Sequence, residues 1–130
     1  MKKYILILFF CLATNCFAQT FMISQIKNTK WRAEGRAGDG KEWIFKFSDK
    51  YFYDITTFYF NKKTYIIKNP YYLSSYIPDK FDASLVGKNT KGKYVIYKVT
   101  KDLCWFELLG FRIGKLIIKL KSGDIITFKQ

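Results

Sequence analysis

The sequence predicts an all-β protein: an antiparallel up-and-down β-barrel of about eight or nine strands, led by a short helical segment. Three observations carry this prediction. Runs rich in Tyr, Phe, Ile and Val recur about every 8–12 residues from Trp31 onward, with turn residues between them. The clearest runs alternate, with Trp43, Phe45 and Phe47 on one face, and Leu116, Ile118 and Leu120 set against Lys115, Lys119 and Lys121. Connections are short, so the strands should meander. A meander of this many strands tends to close, because closure removes the exposed edges.

The elements follow in order. Lys2 and Lys3 precede an apolar run, Tyr4 to Ala13, and Cys16-Phe17-Ala18 supplies small residues at cleavage spacing. Residues 1–18 therefore read as a signal peptide cut between Ala18 and Gln19, and residues 19–130 as one exported barrel domain. A periplasmic, cell-surface or extracellular location follows. A lipidated Cys16 is the alternative, disfavoured by the bulky Asn15 before it. The apolar run is too short to span a bilayer comfortably, so no transmembrane segment is expected in the mature chain.

Phe21 to Ile26 suits one or two helical turns. Lys30 to Gly35 is a first strand, ended by the glycine-rich Gly35 to Gly40, and Glu42 to Phe47 is the second. Ser48-Asp49-Lys50 turns into Tyr51 to Phe60, a longer strand with a break expected near Thr56-Thr57. Thr64 to Lys68 follows, and Asn69-Pro70 is expected to interrupt the chain before Tyr71 to Tyr76. Pro70 and Pro78 mark that last run as an edge or irregular strand. Ile77 to Gly92 is the one long connection, with a helical turn at Asp82 to Val86. Lys93 to Thr100, Leu103 to Phe111, Lys115 to Lys121 and Asp124 to Lys129 complete the series, the last two joined by a Ser122-Gly123-Asp124 turn.

Composition narrows the chemistry. The 130 residues carry 23 Lys and Arg against 10 Asp and Glu, a net +13, of which Lys2 and Lys3 belong to the signal. Such a balance favours anionic partners. Outside the cytoplasm these are lipid head groups, lipopolysaccharide, acidic polysaccharide or an acidic protein, not nucleic acid. There is no histidine, which removes histidine-based catalysis and metal binding. Cys104 is the one cysteine outside the signal and reads as a small hydrophobe. Most acids fall at turns. Asp79 and Asp82 make the nearest approach to a carboxylate pair, and capping of the following turn explains them better than catalysis or calcium binding. No cofactor or metal is expected. An outer-membrane barrel is disfavoured, because a lipid-facing lysine at mid-strand costs about 2–4 kcal/mol.

Aromatic surface is what remains. Trp and Tyr combine an apolar body with a polar handle, which suits a pocket or an interface. Lysines interleave with rings from Tyr59 to Tyr65.

The order of features resembles the small secreted bacterial lipocalin-like (calycin-type) proteins. Lys30-Trp31 follows a short helical lead-in, Trp43-Ile44-Phe45 precedes an acidic turn, and Gly92-Lys93-Tyr94-Val95-Ile96 and a final strand pair come later. The resemblance implies an antiparallel β-barrel able to hold a small apolar ligand, and the leading expectation is a non-enzymatic exported barrel whose interior or mouth binds a small hydrophobic or amphipathic molecule. The ligand-binding candidates are Trp43, Phe45, Tyr53, Tyr94 and Trp105, with Trp31 closing the floor. A basic, solid-cored barrel docking on an acidic protein or an anionic envelope surface is the alternative.

Overall fold

The computed structural model describes residues 20–112 and 114–130, so the expected signal peptide and its Ala18–Gln19 junction lie outside the described residues. The elements are β1 (Phe21–Met22), α1 (Ile23–Ile26), β2 (Thr29–Ala33), β3 (Lys41–Phe47), β4 (Tyr51–Phe58), β5 (Thr64–Ser74), β6 (Lys91–Gly92), β7 (Tyr94–Val99), β8 (Asp102–Arg112), β9 (Lys115–Leu120) and β10 (Ile125–Lys129). Eight of the strands form a closed antiparallel barrel in the order β10-β2-β3-β4-β5-β7-β8-β9. Phe128 opposite Ala33 and Lys129 opposite Arg32 close it. The remaining two strands, β1 and β6, pair only with each other.

Alternation decides which side chains enter. Trp43, Phe45 and Phe47 of β3 face inward opposite Thr56, Asp54 and Phe52 of β4. Leu73, Val95, Phe106, Leu108, Leu116, Ile118 and Phe128 fill the same interior. Phe45 lies at its centre, with ring centroids 4.7 Å from Phe52, 5.5 Å from Phe106 and 4.5 Å from Phe128. An eight-stranded barrel is just wide enough for its own side chains to fill. Here aromatic rings fill it.

One end carries a plug. α1 places Ile23 and Ile26 against the interior, and Phe21 of β1 meets Phe111 of β8 edge-on at 5.3 Å. The Ile23 amide donates to the Thr90 carbonyl at 3.2 Å, tying the plug to the segment that enters β6. Met22 is exposed, so Phe21, Ile23 and Ile26 form the buried stripe.

The strand boundaries correct three expectations. β4 runs unbroken through Thr56-Thr57, because both residues pair with β5, at Tyr65 and Thr64. β5 is one strand of 11 residues and continues through Pro70. The segment after Pro70 is not an edge: Tyr71 to Ser74 are buried and pair with β7. The edge lies before Pro70. The β5–β7 ladder ends at Tyr71 opposite Tyr97, and the next residue of β5 is a proline with no N–H to offer.

The long connection holds a 3-10 turn at Ala83–Leu85, capped by Asp82, whose side chain accepts from the Ser84 amide at 3.0 Å. It also packs on the outside of the barrel, where Phe81 meets Tyr72 at 5.2 Å. Tyr72 and Ile96 are buried there although their strands turn them outward. No described helix is long and apolar enough to cross a membrane.

Candidate functional site

Opposite the plug, the interior ends in a polar layer that forms the barrel mouth. Asp54 is the inward residue of β4 between Phe52 and Thr56, and the Trp43 Nε1–H donates to its Oδ1 at 2.8 Å. Burial pushes the Asp54 carboxyl above its ordinary range, against the Trp43 hydrogen bond, the Lys41 charge and a hydrogen bond with Thr56. The Lys41 ammonium sits over the Trp43 ring, 5.0 Å from its centroid. Tyr97 of β7 faces the same layer beside Cys104 of β8. Burial, with smaller contributions from Cys104 and Asp54, pushes the Tyr97 phenol up to about 12. The Cys104 thiol is raised as well, by burial first and then by Asp102, with Lys121 opposing. A thiol raised in this way stays protonated and is a poor nucleophile. The layer offers one carboxyl, one phenol and an indole. That is enough to orient a polar group, and it assembles no nucleophile with a base.

Asp54 makes a pH prediction with a definite sign. Its folded pKa lies above the unfolded value, so the native state binds the proton more tightly. That stability is fully present below the unfolded pKa and is lost as pH rises through the folded one. Asp54→Asn keeps an acceptor for the Trp43 N–H and removes the charge. The variant is expected to match wild type in acid and exceed it at neutral pH. Urea midpoints of both proteins between about pH 4 and 7 read this difference directly. A constant gap across the range would contradict it.

The six candidate residues do not converge on one site. Trp43 and Phe45 face the interior, Trp43 in the mouth and Phe45 at the packed centre. Trp31 also faces inward, packs 5.7 Å from Phe111, and donates its Nε1–H to Thr29 Oγ1 at 2.8 Å. The other three lie outside. Tyr53 pairs with Lys46 and Lys68, and the Lys46 ammonium lies 5.7 Å from its ring. Tyr94 and Trp105 meet each other edge-on at 5.7 Å, with Lys93 over Tyr94 at 5.1 Å. Strand parity puts them outside the interior: Phe52 and Asp54 beside Tyr53, Val95 beside Tyr94 and Phe106 beside Trp105 take the inward positions.

Asp54 and Tyr97 were missed by sequence reasoning. The signal for Asp54 was present, as a carboxylate inside an aromatic strand at the same parity as Phe52. A turn explains most of the other acids and does not explain this one.

Around the mouth, the β4–β5 hairpin projects. All of Tyr59 to Lys68 is exposed, including Ile66 at 62% and Phe60 at 84%. Lys62 and Lys63 occupy its tip, and the Lys68 ammonium lies 4.0 Å from the Tyr51 ring. Two ion pairs occur among the described residues, Arg32–Glu42 and Lys115–Glu34, and neither involves the hairpin. Comparison with protein-family models, curated proteins and solved structures finds no match.

Proposed function

We propose that this is a non-enzymatic, exported binding barrel of lipocalin-like type that works through its basic outer surface, docking on an acidic protein. The packed interior is the observation that carries this reading. With rings filling the centre and a plug at the floor, the surface left for recognition is the outside and the rim. That surface carries most of the net +13 charge, with few acids set against it. Long-range attraction then speeds encounter and selects acidic partners.

The test compares two lysine faces. Lys62, Lys63 and Lys68 lie on the projecting hairpin, and Lys119, Lys121 and Lys129 lie on β9, its following turn and β10. Binding to poly-L-glutamate should weaken steeply as salt shortens the screening length from about 10 Å towards 3 Å. Reversing the three hairpin lysines to Glu should cost about tenfold, and reversing the other three much less. Equal losses from both faces would reduce the attraction to diffuse charge and overturn the reading.

A second reading has its own observation. The Trp43–Asp54 pair and Tyr97 give the mouth the mixed apolar and polar character that suits a small amphipathic molecule. Binding there is shielded from salt, so affinity for a small ligand that survives high salt and is lost in Trp43→Ala belongs to this reading.

A further inference from the structure

We infer that the free edge of β5, from Thr64 to Lys68, is a strand-pairing site that takes an extended acidic segment of a partner protein. The inference rests on the basic-docking reading and names where and how the partner is held.

The ladder geometry exposes the edge. The Phe58 amide donates to the Lys63 carbonyl at 3.0 Å, which makes that pair a hydrogen-bonded one. In an antiparallel ladder such pairs alternate, so Tyr65 and Ile67 also spend their backbone groups on β4. Thr64, Ile66 and Lys68 then direct their N–H and C=O groups to the other side. There β7 would be the neighbour, but its pairing with β5 stops at Tyr71. No described strand continues the ladder along Thr64 to Asn69. Two things open it: Pro70, at the next position of the same parity, has no N–H to give, and β7 ends at Val99, which the register would set opposite Asn69, so no described strand lies beside Thr64 to Lys68.

An open edge of this kind is a template for another strand. Natural edges are commonly blunted by lysines, prolines, inward charges, bulges or a covering loop, and here Lys68 and Pro70 guard one end only. This one carries Tyr65, Ile66 and Ile67 exposed in a row. Side-chain pairing with an incoming strand is available on both faces: Tyr65 and Ile67 on the mouth side, Ile66 on the outer side.

Charge selects the occupant. Lys62 and Lys63 flank one end of the edge and Lys68 the other, and Lys98 and Lys101 stand on the neighbouring β7 and its turn. Asp54, the carboxylate nearest in the ladder, points inward to Trp43. A second copy of this chain would bring the same lysines against themselves, so self-pairing is opposed. An acidic strand with alternating apolar residues meets both features.

The experiment uses an acetylated, amidated (Glu-Val)4 peptide and an oligoacrylate of equal charge, which has carboxylates and no backbone amide. Ile66→Pro removes one free-edge N–H at a position whose bonds to β4 are not needed. It is expected to weaken the peptide about tenfold, to leave the oligoacrylate within about twofold, and to leave the thermal transition close to wild type. Ile66→Thr, which keeps the N–H, should bind the peptide nearly as wild type does. Thr64→Pro repeats the test at the next free amide if Ile66→Pro does not fold. Peptide affinity unchanged by both proline variants, with salt sensitivity retained, overturns the edge site and leaves basic docking standing. No binding of either probe to wild type removes both.

Discussion

Phe45→Ala is expected to lower the folding free energy by about 3–5 kcal/mol, among the largest losses for a single side chain in the barrel. The ring touches four strands' worth of neighbours. Its centroid lies 5.1 Å from Trp43, 4.7 Å from Phe52, 5.5 Å from Phe106 and 4.5 Å from Phe128, and it is 2% exposed. Removing it takes away the transfer energy of the ring and leaves a hole that the walls cannot collapse around, since the strands around it are held in a closed hydrogen-bonded barrel. Tyr53→Ala on the adjacent strand is the comparison. Its ring faces outward beside Lys46, and its loss should cost about 1 kcal/mol or less. Guanidinium unfolding of the two variants, at constant slope, measures the difference. The outcome bears on function as well as stability. A loss under about 1 kcal/mol for Phe45→Ala would mean the ring lines a hollow, and the interior would return as a place for a ligand.

Much of this arrangement was legible from residue order. Alternation in β3 and β9 placed Trp43, Phe45, Phe47, Leu116, Ile118 and Leu120 on the inner face, and they are there. The short turns implied sequential antiparallel pairing, and closure followed from strand number. What failed has one physical origin: aromatic residues occupy both faces of these strands. Tyr53 and Trp105 are aromatic like Phe52 and Phe106 beside them, and Tyr94 is a strand former like Val95, so composition could not tell the faces apart. Parity does so only once register is fixed. Tyr72 shows how an outward aromatic is accommodated, because the long connection brings Phe81 against it and it is buried. Pro70 misled for a related reason. Proline is compatible with a strand wherever its missing N–H faces no partner, and β5 uses it there to end pairing with β7 while pairing with β4 continues. The mouth was hidden because Trp43 and Asp54 are eleven residues apart and meet only through register.

Gly92→Ala is the second large effect, and it should act on the plug more than on the barrel. Gly92 pairs with Phe21 of β1 at φ +152°, a conformation that side chains rarely adopt. A Cβ there would lie 2.0 Å from both the carbonyl carbon and oxygen of Ser74. Neither backbone has room to yield. Ser74 is held in the β5–β7 ladder opposite Tyr94, and Gly92 leads directly into β7. The substitution therefore combines backbone strain with steric overlap, together about 3 kcal/mol or more. Gly123→Ala separates the two costs. Its φ is +97° with open space where the Cβ would go, so it carries the strain alone, about 1–2 kcal/mol. For Gly92→Ala the cheapest response is to release β6 and with it β1 and α1, uncovering Phe21, Ile23 and Ile26. Hydrogen exchange should then show lost protection at the Ile23 amide, bonded to Thr90, while the β3–β4 ladder stays protected. The β5 edge belongs to the opposite end of the barrel, so binding of the acidic strand peptide should survive this change. Loss of that binding in a variant whose β3–β4 ladder remains protected would show that plug and hairpin act as one unit.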